Sequence, residues 1–314
     1  MSYEHIPVLL NECIEGLALR PDGTYLDGTL GGGGHSSEIL ARLGPGGRLF
    51  GIDRDQAALD ACRERIHDPR FLPIHGNFHD AKRLLSERGV QSLDGALLDL
   101  GVSSPQLDDG ARGFSYHEDA KLDMRMDRSQ ALTAREIVND WPEGEIARVL
   151  RDYGEENWSR HIARVLCDRR KLKPIETTGD LVSIIDAAIP KKFRMKDGGH
   201  PARRSFQALR IAVNDELAPL ERALRDLTDL LAPGGRFCVI SFHSLEDRVV
   251  KSTFRNLANP CVCPPESPVC VCGRVPTVRL ITRKPIQPSE SELSRNPRAR
   301  SANLRILSKL EATQ

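Results

Sequence analysis

The sequence predicts an α/β fold: an open parallel sheet with crossover helices, interrupted by a mostly helical insertion. Three observations carry this. The first hundred residues alternate short apolar runs with amphipathic helical patterns, the rhythm of strands joined by crossover helices. A run of glycines follows the first of those strands, and an aspartate ends the second. The alternation stops after Gly101 and returns only at Arg236.

Thr24–Leu30 reads as the first strand, followed by glycines and a helix over Ser36–Leu43. Arg48–Asp53 is the second strand, with a helix over Asp55–Ile66, and Phe71–His75 the third, with a helix over Ala81–Arg88. Asp94–Leu100 is apolar enough to be buried on both faces, as central parallel strands are. Gly44-Pro45-Gly46-Gly47 and Arg88-Gly89 supply helix stops. Between Asp108 and Arg204 no strand pattern stands out; helices fit Thr133–Asp140, Glu143–Tyr153, Trp158–Arg170 and Thr177–Ala188. A long helix fits Asn214–Leu231, and further strands fit Arg236–Phe242, Thr277–Arg283 and Asn303–Leu307. The expected organisation is a sheet domain in two parts, 1–107 and 205–314, around a helical insertion over 108–204 that is large enough for its own core.

The chain has 314 residues, 39% hydrophobic and 28% charged, with a formal net charge of +1. That composition excludes a disordered chain. No apolar run reaches the length of a membrane-spanning helix, and Met1-Ser2-Tyr3-Glu4-His5 has no signal-peptide pattern, so a cytoplasmic protein is expected. Cys13, Cys62, Cys167 and Cys238 are scattered and read as small core residues in a reduced compartment.

The stretch Asp27-Gly28-Thr29-Leu30-Gly31-Gly32-Gly33-Gly34-His35 lets backbone approach a ligand closely, and the helix that follows offers N–H groups to an electronegative atom. Asp53, twenty-two residues after Gly31, is placed to accept both hydroxyls of a ribose. A nucleoside-containing cofactor across the carboxyl ends of the strands follows. A dinucleotide fingerprint needs G-x-G-x-x-G, and Ser36 stands where its third glycine belongs. An acid leading into the glycine turn is instead the look of S-adenosylmethionine (SAM) methyltransferases, with Thr29 departing from their commonest form. A nicotinamide-dependent oxidoreductase is the competing enzyme class. A non-catalytic RNA-binding protein that keeps SAM as a structural ligand is a third. Asp99 ends the fourth strand across the same crevice. Phe78, judged by chemistry alone, reads as a core aromatic.

Several longer motifs carry a resemblance. They are Gly28–Ser37, Leu98–Asp109, Arg112–Ser115, Leu122–Asp127, Tyr153–Glu156, His200–Ile211, Ser241–Arg248 and Asn296–Ser301. In this order they resemble the bacterial 16S rRNA cytosine-N4 methyltransferases over nearly the whole chain. The resemblance implies a Rossmann-like class I SAM-dependent methyltransferase sheet with an inserted substrate-recognition domain. It also implies methylation of the exocyclic amine of a decoding-centre cytidine in 16S rRNA, within the small ribosomal subunit. Its cofactor contacts fall on Gly33, Gly34, His35, Asp53, Phe78, Asp99 and Gln106, which makes Phe78 a cofactor residue after all. Asp99-Leu-Gly-Val-Ser-Ser-Pro105 departs from the D-P-P-Y motif of amino-methyltransferases in general.

For the chemistry, Asp99 with Ser103 or Ser104 is the best-placed acceptor for the N–H groups of a target amine. His243, after the Arg236–Phe242 strand, reads equally as a proton relay or as the cap of the next helix. Arg160–Arg210 holds thirteen Lys+Arg against five Asp+Glu, and Arg274–Gln314 nine against three. Arg169, Arg170, Lys191, Lys192, Arg203 and Arg204 are the candidate phosphate contacts. Tyr116, Trp158 and Phe206 are candidate base-stacking rings. Cys261-Val-Cys263 and Cys270-Val-Cys272 bring four thiols into one segment. Four thiolates suit tetrahedral zinc, yet C-x-C is less usual than C-x-x-C, and a reduced Pro-rich surface loop is the other reading. No metal ligand is assigned from sequence.

Overall fold

The computed structural model describes residues 7–194, 199–264 and 269–311. The chain divides into two compact units, one formed by Met1–Gly101 with Leu217–Gln314, the other by Val102–Glu216. The second unit is therefore wider than the expected 108–204. Its extra C-terminal part is a helix over Arg203–Asn214 whose apolar face, Phe206, Leu209 and Val213, joins the core of that unit.

In chain order the first unit opens with α1 (Leu10–Leu17), β1 (Thr24–Asp27), α2 (Gly34–Arg42), β2 (Arg48–Asp53), α3 (Gln56–Arg65), β3 (Phe71–His75), α4 (Ala81–Ser86) and β4 (Leu93–Asp99). The second unit holds α5 (Ser104–Asp108), α6 (Ala134–Asp140), α7 (Glu143–Gly154), α8 (Ser159–Arg170), α9 (Thr178–Ala188), α10 (Lys191–Arg194) and α11 (Arg203–Asn214). The first unit resumes with α12 (Leu220–Leu230), β5 (Leu231–Ser241), α13 (Ser244–Ala258), β6 (Val278–Leu280), α14 (Glu290–Arg295) and β7 (Asn303–Lys309).

The sheet order is β3-β2-β1-β4-β5-β7-β6, with β1 to β5 parallel and β7 antiparallel to both neighbours. The order reverses between β1 and β4, so the ligand crevice of such a sheet opens at their carboxyl ends. Side chains alternate between the two faces. Tyr25, Leu97, Cys238 and Ile240 enter one core, while Leu26, Leu98, Phe237 and Val239 enter the other. Both faces are covered, which is why these strands are continuously apolar in sequence.

Three local readings need correction. The first strand stops at Asp27 rather than Leu30, because Gly28–Gly33 turn into α2. The helix expected over Asn214–Leu231 is two elements: α11 ends where Asp215 takes a left-handed conformation (φ 48°), and α12 starts after Pro219. Helices α1 and α14 were not foreseen, and they are tied together through the chain segment before α1, where the Leu9 N–H donates to Glu292 Oε1 at 2.7 Å. Among the described residues no helix is long and apolar enough to cross a membrane.

Candidate active site

Three aspartates end three adjacent strands. Asp27 pairs in register with Gly51 of β2 and with Leu97 of β4, so Asp53 and Asp99 each stand two residues further along their strands. Period-two geometry puts both on the side toward which Asp27 points, at the lip of the sheet. Thr29 lies between them: the Asp99 N–H donates to Thr29 Oγ1 at 2.6 Å, and the Leu30 N–H donates to the Ile52 carbonyl. The sequence presented Thr29 only as a departure from a motif; here its hydroxyl anchors Asp99.

Asp27 is buried and internal to the loop. It accepts from the Ser36 hydroxyl at 2.7 Å and from the Thr29 N–H, and burial still pushes its carboxyl up to about 6. Asp53 accepts from the Gly31 N–H at 2.7 Å and the Asp55 N–H at 2.8 Å, one on each oxygen, so each oxygen has a lone pair left. Burial raises its carboxyl too, against the pull of those two N–H groups. Asp99 is the extreme case. Its Oδ1 is buried with no hydrogen-bond partner, and burial, reinforced by Asp27 and Glu246, pushes its carboxyl up to about 8.

The glycine loop is shaped first by the protein itself. Gly33 caps α2 at φ 69°, and a Cβ there would meet Cys62 Sγ at 2.8 Å. At Gly34 a Cβ would run into Pro7. The His35 ring is buried, with Nε2 3.0 Å from the Val8 carbonyl, so its side chain holds the N-terminal segment. Phe78, in a short 3₁₀ turn after β3, is half-buried against the core and meets the His79 ring edge-on at 4.3 Å. Its Cβ lies 3.2 Å from where a side chain on Gly28 would begin, so Gly28 lets Phe78 come down onto β1.

His243 caps α13. Its Nδ1 accepts from the Glu246 N–H at 3.3 Å, and its Nε2 lies 3.1 Å from Glu246 Oε1. Glu246 is buried and also accepts from the Phe242 N–H at 2.9 Å. Of the two readings of His243, the geometry gives the cap: Nδ1 accepts at the helix start, while Nε2 is buried near Glu246 without an aligned hydrogen bond. Glu246, three residues after the cap as in a capping box, was legible in principle and was missed.

In the second unit, Ser103 is the N-cap of α5 and its N–H donates to Gln106 Oε1 at 3.1 Å. Ser104 is the first residue of that helix, and Gln106 is buried. Among the expected phosphate contacts, Arg169, Lys191, Lys192 and Arg203 are exposed, and Arg204 is half-buried. Lys192 Nζ sits 4.9 Å from the centre of the Phe193 ring. Arg170 is a correction: its Nη1 donates to the carbonyls of Val138 (3.0 Å) and Trp141 (2.8 Å), satisfying the C-terminal end of α6. Met195 and Lys196, part of the same basic run in sequence, lie outside the described residues. Of the stacking candidates, Phe206 is in the core, Trp158 packs on Phe193, and half-buried Tyr116 stacks on His200 at 4.7 Å.

The free lone pairs of Asp53 and the unpartnered Oδ1 of Asp99 leave acceptor oxygens at one sheet edge, which suits a ligand with hydroxyl and ammonium donors, as SAM has. Residues 2–310 match the model of the MraW methylase family. The chain belongs to the MraW methylase family. Three curated relatives bear the name Ribosomal RNA small subunit methyltransferase H. The protein of Symbiobacterium thermophilum is 55% identical over 314 residues, covering 99% of this chain and 98% of that one. Those of Heliobacterium modesticaldum and Acetivibrio thermocellus are each 54% identical, covering 99% of this chain and 100% of theirs. As a member of this family the protein is a SAM-dependent methyltransferase, and SAM is its cofactor.

Proposed function

We propose that this methyltransferase transfers the methyl group of SAM to the N4 amine of a specific cytidine in the decoding centre of 16S rRNA, acting on the small ribosomal subunit. The observation that carries the substrate class is end-to-end similarity, at about half identity, to proteins named as small-subunit rRNA methyltransferases. The choice of a cytidine N4 rests on the resemblance of the ordered motifs.

The assigned roles follow from the chemistry. The backbone of Gly33, Gly34 and His35 at the start of α2 and the carboxylate of Asp53 hold the cofactor, with Asp53 using its remaining lone pairs on the ribose hydroxyls. Phe78 covers the adenine face. SAM, when bound, supplies an electrophilic methyl. The cytosine amine is a weak nucleophile, because its lone pair is delocalised into the ring. A hydrogen bond from its N–H to Asp99 Oδ1 orients the amine and favours a tetrahedral nitrogen. In the cofactor-free protein burial keeps the Asp99 carboxyl protonated up to about pH 8. Beside a bound sulfonium cation the carboxylate is favoured, and it can then take up the proton the methylated amine must lose. Arg169, Lys191, Lys192, Arg203 and Arg204 position rRNA phosphates, and base contacts specify the target.

The test is methyl incorporation from labelled SAM into small subunits isolated from a strain lacking this gene, followed by mass spectrometry of the digested rRNA. The expected result is one N4-methylated cytidine. Incorporation into a protein, or at another base, overturns the reading.

A further inference from the structure

The four clustered cysteines lie in the segment between α13 and β6, in the sheet unit and outside the catalytic machinery. Their sulfurs converge. Cys261 Sγ lies 3.5 Å from Cys270 Sγ and 3.8 Å from Cys272 Sγ, Cys270 lies 3.5 Å from Cys272, and Cys263 lies 3.9 Å from Cys270. All four sulfurs lie within 4.8 Å of one another. We infer that Cys261, Cys263, Cys270 and Cys272 form a structural zinc site.

The distances fit one metal. Zinc–sulfur bonds of about 2.3 Å place the corners of a tetrahedron about 3.8 Å apart. The sulfurs are free thiols, too far apart to be paired as disulfides, which need about 2.05 Å. C-x-C, unusual as it is, serves here for a simple reason. Both pairs lie outside helix and strand, where a chain can present residues two apart on one face and turn the residue between them away. Val262 and Val271, the residues in between, are turned outward, 62% and 86% exposed.

Those valines also show what does not hold the segment together. Val269 and Val275 are exposed as well, so these four valines of the segment form no apolar core around the thiols. The Val271 N–H donates to Cys263 Sγ at 3.4 Å, the kind of bond that stabilises a thiolate ligand. Four thiolates close the coordination shell and leave no open position, which marks a structural rather than catalytic zinc. Cys261 and Cys270 are exposed, giving the ion an entry path.

The experiment is elemental mass spectrometry on the full-length protein, purified under reducing conditions without a metal-binding tag and dialysed extensively. One zinc per chain is expected, falling to background in a Cys261→Ser/Cys272→Ser variant whose SAM affinity is unchanged. Cobalt added to metal-free protein should give the intense visible bands of a tetrahedral tetrathiolate. Zinc lost on dialysis, iron in place of zinc, or four freely titrating thiols with no cobalt spectrum each overturn the proposal.

Discussion

The carboxyl edge of the sheet and the basic helical unit are built on opposite terms. At the sheet edge, Asp27, Asp53 and Asp99 are acids carried at the ends of apolar strands, and burial raises the proton affinity of each. In the helical unit the cations are numerous, but several are spent on the fold. Arg170 caps α6, Arg210 holds Glu216 through two 2.9 Å bonds, and Lys171 pairs with Asp168. The lesson is that a residue kept at a cost to stability reports function more sharply than a residue that is merely charged. A buried carboxyl oxygen without a partner, such as Asp99 Oδ1, needs a reason; an arginine among thirteen basic residues does not.

Substitutions can break this contrast, and the largest effect belongs to Asp99. Asp99→Asn keeps the shape but replaces an acceptor oxygen with a donor, so turnover at saturating SAM should fall by about a hundredfold or more. Near-normal single-turnover rates would remove Asp99 from the chemistry. Asp53→Ala should weaken SAM binding by about 1.5–3 kcal/mol, roughly ten- to a hundredfold, in a protein that still folds. Calorimetry checks it, and unchanged affinity contradicts the ribose assignment.

In the helical unit the expected outcomes separate two kinds of basic residue. Arg170→Ala strips two carbonyls of their donor and should cost about 1–3 kcal/mol of stability in denaturant unfolding, leaving the salt dependence of RNA binding as it was. Neutralising Lys191, Lys192 and Arg203 together should do the reverse. Stability should hold, while the slope of log K against log salt should become shallower by about 0.7–0.9 for each phosphate no longer neutralised. If the two sets of variants behave alike, the contrast is wrong.

The acids also leave a mark on the pH dependence of the cofactor-free protein. The folded carboxyl of Asp99 sits near 8 and the unfolded one near 3.8, so between these values the folded state holds a proton that the unfolded chain has released. Stability should therefore fall as pH rises from about 4 to about 8, with Asp99 adding up to ~1.4 kcal/mol per pH unit. Asp27 and Asp53 act in the same direction. Asp99→Asn should flatten the slope in thermal melts across that range.

Much of the sheet edge was legible because its chemistry is local in sequence. Each acid ends its own apolar strand, so Asp53 and Asp99 could be placed without knowing the register. What the pairing adds, Thr29 between the two acids and Glu246 behind Asp99, depends on which strands are neighbours and on where a capping side chain turns. The helical unit was harder to read for the same reason. A run such as Arg169-Arg170-Lys171 does not say which side chain reaches back to a carbonyl some thirty residues away. The helix break at Asp215 was hidden, because a left-handed aspartate has no signature as strong as glycine. The spacing of the cysteine pairs did not show that their four sulfurs converge, because that depends on the outward turn of Val262 and Val271, which sequence alone does not reveal.

The central claim is methyl transfer to one rRNA base at the edge of this sheet, and the most direct measurement follows a labelled methyl. Purified protein, labelled SAM and small subunits from a strain lacking the gene should yield a single labelled nucleotide, N4-methylcytidine in the decoding centre, with Asp99→Asn protein giving almost none. Wild-type protein that binds SAM but labels no rRNA, or an Asp99→Asn variant that labels it as fast as wild type, would contradict the account.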